Sequence, residues 1–194
     1  MSDLVSAVRA AVRLLPPRSV AVHLREKDLG GAELLTLARV LSATCRAAGQ
    51  LLLVNDRVDV AVASGADGVH LPAAGIPPAD ARRLLGDARL VGVSCHGVDD
   101  VRRAREAGAD YASFSPIFDT PSKRPFGPPV GLAALREASL IGLPLVALGG
   151  VDAGNARLAI DAGARGVAAI RAWLGPPDQG RAAAALLAAV TATP

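Results

Sequence analysis

The sequence predicts an α/β fold of parallel strands alternating with helices, of the (β/α)8 TIM-barrel type but apparently lacking the first strand. Three observations carry this expectation. The first is a recurring phrase: ASGADG at 63–68, EAGADY at 106–111 and DAGARG at 161–166 each close a helical stretch and open an apolar run. The glycine at its third position suits the left-handed site that ends a helix, so one helix-to-strand junction is built three times. Ala47-Ala-Gly49 ahead of Leu51 is a weaker fourth copy. The second is the apolar runs themselves, short and nearly unbroken, as expected of strands covered on both faces. The third is composition: hydrophobic residues make up 51% of the 194 and aromatics 3%, so Ala, Val, Leu and Ile must fill the interior.

In chain order, an amphipathic helix at about 3–15 carries Arg9 and Arg13. Strands then follow at 20–24, 51–54, 68–71, 90–94, 111–114, 145–148 and 166–170. Helices lie between and after them near 31–48, 56–64, 77–85, 98–107, 131–138, 153–162 and 178–192. The RPFGPP stretch at 124–129 reads as a mobile loop. Unbroken alternation calls for a parallel sheet with right-handed crossovers. Seven strands behind a leading helix match an eight-stranded barrel without its first strand, which leaves two sheet edges for a partner or a loop to cover. Residues 1–194 are expected to form a single domain of this type.

Composition also excludes several functions. The net charge of +3 comes from arginines spread along the chain, without the basic cluster of a polynucleotide-binding patch, and scarce aromatics disfavour base stacking. No run approaches the about 20 apolar residues of a membrane span. Cys45 and Cys95, which lack metal-ligand spacing, point to a reducing cytoplasmic setting and to packing as small apolar groups. A homo-oligomer is left open. Lys27 and Lys123 are the only lysines among 21 cationic side chains, and each closely follows a predicted strand. A compact ammonium on a flexible stem suits phosphate held as a point charge.

In such folds chemistry gathers where the strands end. Those ends carry His23, Arg25, Lys27, Asn55, Asp56, His70, Ser94, a Ser-Thr-Lys loop from 115 to 124, Gly149-Gly150 and Arg171. Basic groups and glycine-rich turns on one rim favour an anion pocket, because free backbone N–H groups hold phosphate well. His70 reads as a packing residue, with no carboxylate spaced to orient it. His96 and Cys95 point to opposite faces of their strand. Trp173 is read as packing.

HLREKDLGG, LLLVNDRVDVAVASGADGVHLP, VGVSCH, FSPIFDTPSK and VALGGV, in this order, resemble the thiamine-phosphate synthase and thiazole tautomerase family over residues 19–175. The resemblance implies a (β/α)8 barrel. It also implies a transferase that condenses 4-amino-2-methyl-5-(diphosphooxymethyl)pyrimidine with carboxythiazole phosphate to give thiamine phosphate and pyrophosphate. By resemblance, Arg25 and Lys27 hold the pyrophosphate, with His23 where the family has glutamine. Asn55, Ser94 and Lys123 contact the same diphosphate. Thr120, Pro121 and Ser122 cradle the thiazole, and Gly150, Ile170 and Arg171 hold its phosphate. Asp56 is the expected Mg²⁺ ligand, although it could equally cap the following helix. No side-chain nucleophile is implied.

Two departures stand out. Gly75 occupies the place of a second metal carboxylate, and Arg171 that of a phosphate-binding serine. Loss of the carboxylate would suit a tautomerase that works without metal, although a tautomerase has no use for Lys27, Asn55 and Asp56 together; the missing first strand would suit a non-catalytic phosphate-ligand binder or partner subunit.

Overall fold

The repeated phrase does two jobs at each junction. The structure is a computed structural model describing residues 2–192, with all their side chains except those of Ser2, Ser122, Lys123 and Phe126. Within it Gly65, Gly108 and Gly163 all turn the chain through the left-handed region, at φ of 68°, 82° and 97°. The acid that follows then ties the next strand to the previous one. Leu52 N–H donates to the Asp67 carboxylate at 2.8 Å while Asp67 N–H donates back to Leu52 O at 2.8 Å. Val91 and Asp110 repeat this reciprocal pair at 2.6 and 2.8 Å. In the third copy Arg165 keeps only the backbone half of the pair, to Leu145 O.

The elements run α1 (Ser2–Arg13), β1 (Ala21–Leu24), α2 (Gly31–Ala47), β2 (Leu51–Asn55), α3 (Val58–Ser64), β3 (Gly68–Leu71), α4 (Pro78–Leu85), β4 (Leu90–Cys95), α5 (Val98–Glu106) and β5 (Tyr111–Phe114). A 3₁₀ helix (Pro121–Phe126) follows, then α6 (Gly131–Ser139), β6 (Leu145–Leu148), α7 (Ala156–Asp161), β7 (Gly166–Ala168), α8 (Arg171–Leu174) and α9 (Gln179–Thr191). The seven strands are parallel and pair in chain order, so β1 and β7 are the edges.

The helices cover one face of the sheet. There Leu24, Leu52, Val54, Val69, Leu71 and Val91 meet α1 to α4 in one buried cluster, and Cys95, Ala112, Phe114, Leu145 and Ala147 meet α5 to α7 in a second. Val93 touches both. Helix α1 packs on α2 and on α9, and α9 packs on α7, which joins the two ends of the helical layer.

Several predicted boundaries move, α7 among them, which starts at Ala156 rather than near 153. Helix α3 starts at Val58 rather than 56, because Asp56 adopts φ 62° and cannot be its first turn. Strand β7 ends at Ala168, and Ile170 leads into the short helix α8. The first three residues of the RPFGPP stretch belong to the 3₁₀ helix, so it is not all loop.

Candidate functional site

Parallel pairing sends every strand's carboxyl end to one rim, and the loops after β1, β2, β4, β5, β6 and β7 therefore open on the same side of the molecule. Every predicted substrate- or metal-binding residue stands at the end of a strand or in a loop on this rim, or just below it. Lys123 stands in the 3₁₀ helix after β5, on the same rim, and its side chain and that of Ser122 lie outside the described residues.

Below the rim, alternation along each strand puts His23, Asn55, His70, Ser94, Tyr111 and Ser113 on the face turned away from the helices. The sheet curls enough for residues two strands apart to meet there. The rings of His23 on β1 and His70 on β3 lie 4.9 Å apart, and those of His70 and Tyr111 on β5 lie 5.4 Å apart. On flat strands such residues would be roughly 10 Å apart. His70 forms the hub: Nδ1 lies 2.8 Å from the Tyr111 hydroxyl, and Nε2 lies 3.0 Å from Ser94 Oγ and 3.1 Å from Ser113 Oγ.

Burial drives the His70 imidazole far below its ordinary range, to about 3, and the neighbouring His23 adds to the effect. His23 is also lowered, by the protein around it and then by the Arg25 charge, against a hydrogen bond from Asn55. Since β1 is an edge strand, His23 keeps an exposed surface.

The predicted cations Arg25 and Lys27 are exposed in the β1–α2 loop. Asn55 is half-buried at the end of β2, linked to His23. Asp56, exposed, is held by its backbone, whose N–H donates to His70 O at 2.9 Å. A non-glycine residue at positive φ is uncommon and concentrates at functional sites, although aspartate tolerates it better than most. Asp56 is not the helix cap that its type allows. Arg57 occupies the cap position, no side chain caps α3, and the Arg57 guanidinium is paired with Asp59 at 2.6 Å.

The loops after β5 and β6 are laid together. Ile117 N–H donates to Leu148 O and Phe118 N–H to Gly149 O. Gly149 and Gly150 turn with φ of 97° and 66°, and a Cβ on them would stand 2.7 Å from Pro116 and 2.6 Å from Asp119 O. Only glycine lets the β6 turn lie this close to the Ser115–Asp119 segment. Asn155 clamps the turn by donating to Gly150 O at 2.9 Å. Thr120 Oγ1 donates to Phe118 O, and Pro121 is exposed at the start of the 3₁₀ helix. Ile170 is 62% exposed, and Arg171 beside it is exposed.

Position 75 has no room for an acid as the loop stands. Gly75 N–H donates to Pro72 O, and a Cβ there would lie 2.9 Å from Pro72 Cδ. Among the described residues no group of three His, Cys, Asp or Glu side chains is placed to hold a metal ion. Asp56 is thus the one predicted metal ligand on the rim.

Other residues resolve simply. Both cysteines are free and buried, and burial pushes their thiols up to about 12, in keeping with apolar packing. His96 sits on the rim, where Nδ1 donates to Ser115 O, while Cys95 faces the helices. Trp173 packs on the first core cluster. The strands were expected to be apolar on both faces; this holds for β6 and most of β2, whereas His23, Asn55, His70, Ser94, Tyr111 and Ser113 make the inner face of β1 to β5 partly polar. Tyr111 and Ser113 were missed, although polar residues two apart in an otherwise apolar strand are the signal that could have found them.

Comparison with known proteins agrees with this geometry. A family model described as thiamine monophosphate synthase matches residues 2–173. The thiamine-phosphate synthase of Roseiflexus sp. (strain RS-1) is 42% identical over 98% of this chain and 78% of its own. That of Methanoculleus marisnigri is 47% identical over 85% of this chain and 79% of its own. The solved thiamine phosphate pyrophosphorylase of Pyrococcus furiosus superposes with a TM-score of 0.86 at 30% identity, covering 96% of this chain and 88% of that one. With the motifs, the rim and these relatives in agreement, the chain belongs to the thiamine monophosphate synthase family.

Proposed function

We propose that the rim joins the two heterocycles of thiamine phosphate, displacing pyrophosphate from the diphosphooxymethyl pyrimidine as the thiazole nitrogen attacks its methylene carbon. The observation that supports this most directly is the grouping, at one mouth, of Arg25, Lys27, Asn55, Asp56 and Ser94. Departure of pyrophosphate concentrates charge on the leaving oxygens, and fixed cations and hydroxyl donors stabilise that charge as it develops. Arg25 and Lys27 supply two cations from one loop, Lys123 is assigned the third, and Ser94 supplies a hydroxyl. Thr120, Pro121 and Ser122 border the thiazole, and the Gly149-Gly150 turn with Ile170 and Arg171 receives its phosphate.

Mg²⁺ fits this donor set with Asp56 as the single carboxylate ligand, since the ion is commonly held by one or two carboxylates plus substrate phosphate oxygens and water. Bound there, it would neutralise phosphate charge. We read the sheet as a barrel whose eighth strand would stand between β1 and β7, the whole chain as one domain, and its setting as cytoplasmic; among the described residues no helix is long and apolar enough to cross a membrane. A metal-free tautomerase would leave Asp56, Asn55 and Lys27 without a task.

The test is a coupling assay with both heterocycles and Mg²⁺. Lys27→Ala and Asp56→Ala are each expected to slow product formation about 10²- to 10³-fold, the usual cost of losing one electrostatic contact to a developing charge. An active wild type that neither change slows would overturn the assignment.

A further inference from the structure

A row of hydrogen bonds climbs from the interior of the sheet to the rim. It begins at Tyr111, whose ring lies over Gly92, where a Cβ would fall 2.1 Å from the ring. Glycine on β4 is what lets the phenol reach from β5 across to β3. Burial raises the Tyr111 hydroxyl above its ordinary range, so it keeps a proton to donate. The acceptor within reach is His70 Nδ1, at 2.8 Å. His70 is 4% exposed, and burial keeps it neutral with a single N–H. With Nδ1 accepting, the hydrogen-bond pattern assigns that proton to Nε2, which faces Ser94 Oγ at 3.0 Å and Ser113 Oγ at 3.1 Å. A serine oxygen that accepts from His70 keeps its own proton for another acceptor. Ser113 is buried, whereas Ser94 is half-exposed near the carboxyl end of β4.

We propose that His70, fixed as the Nε2–H tautomer by Tyr111, is a positioning residue that turns the Ser94 hydroxyl toward the mouth as a donor to an anionic oxygen of the diphosphate substrate. The inference rests on the synthase reading of the rim. No group in the row changes charge during the reaction. Its members are spread over β3, β4 and β5, so the row also ties three neighbouring strands together on the inner face.

The test exploits the reach of two amides. Asparagine at position 70 places its amide near the Nδ1 position and abandons the serines, whereas glutamine reaches the Nε2 position. His70→Asn is expected to raise KM for the diphosphate substrate about tenfold, in the range of one lost hydrogen bond to a charged group, with KM for the thiazole phosphate unchanged. His70→Gln should recover most of the loss. In a Ser94→Ala background, His70→Asn should add nothing, because the two changes remove the same contact. Imidazole ¹⁵N shifts of the wild type should report His70 as the Nε2–H tautomer. Should His70→Asn not fold, Tyr111→Phe serves instead and should raise the same KM about threefold, again without effect on Ser94→Ala. An Nδ1–H tautomer, multiplicative effects of the two changes, or a silent Ser94→Ala in an active enzyme overturns the proposal alone. A wild type that fails to join the substrates overturns the synthase reading and the proposal with it.

Discussion

The middle of the sheet and its two edges are made of the same kinds of residue, yet only the middle is dry. On the helix side of β2 to β5, Leu52, Val54, Val69, Leu71, Val91 and Phe114 are all 0% exposed. Helix α9 is mostly Ala, Leu and Val, but Gly180 is its only buried residue among those described, and β7 has none. In β1 only Leu24 is buried. A side chain loses water only when elements flank it on every side, and each edge strand has a neighbour on one side alone. Apolar composition makes burial affordable; topology decides where it happens.

The largest expected effect tests this contrast directly. Phe114→Ala should cost about 3–5 kcal/mol in urea denaturation, because transfer and cavity costs add in a packed interior. Leu187→Ala in α9 should cost less than about 1.5 kcal/mol, since that side chain is only half-buried. Equal losses would show that the edge is packed as tightly as the middle.

Acid sharpens the same contrast through the two inner histidines. His70, in the middle, is lowered from 6.5 to about 3. Above pH 6.5 neither folded nor unfolded chain protonates it, so it contributes nothing to the pH dependence there. Below 6.5 the unfolded chain binds a proton that the folded one refuses, and stability should fall by up to about 1.4 kcal/mol per pH unit until pH nears 3. Thermal melts between pH 7 and 5 should show this slope, and His70→Gln should remove it. His23 shifts in the same direction on an exposed edge strand, so His23→Gln should flatten the slope much less.

A smaller effect concerns the backbone. Amides of β1 and β7 should exchange with solvent at least about tenfold faster than those of β2 to β5, because opening an edge breaks one ladder rather than two. Uniform protection would mean that another element covers the edges in solution.

Strands β3, β5 and β6 stand where the apolar runs place them, because short runs between a left-handed glycine and a polar loop leave little freedom of register. The start of α3 was less legible. Asp56 looks like a helix cap, and only its positive φ, set by the hydrogen bond to His70 O, removes it from that role. The rim residues could be named from motifs, since each follows its strand directly in the chain. The row beneath them could not. Ser94 and Tyr111 lie 24 and 41 residues from His70, the hub, and nothing local says that they touch.

The alternation of apolar runs with glycine-ended helices was enough to determine the parallel order of the strands and to send the chemistry-bearing loops to one rim, because these follow from local backbone preference and from the handedness of crossovers. The curl of the sheet was decided only in three dimensions. It brings side chains from alternate strands within hydrogen-bonding distance on the inner face, turns His70 from a packing residue into the centre of a network, and leaves β1 and β7 half-wet, because such contacts depend on the sum of twists over all seven strands rather than on any one of them.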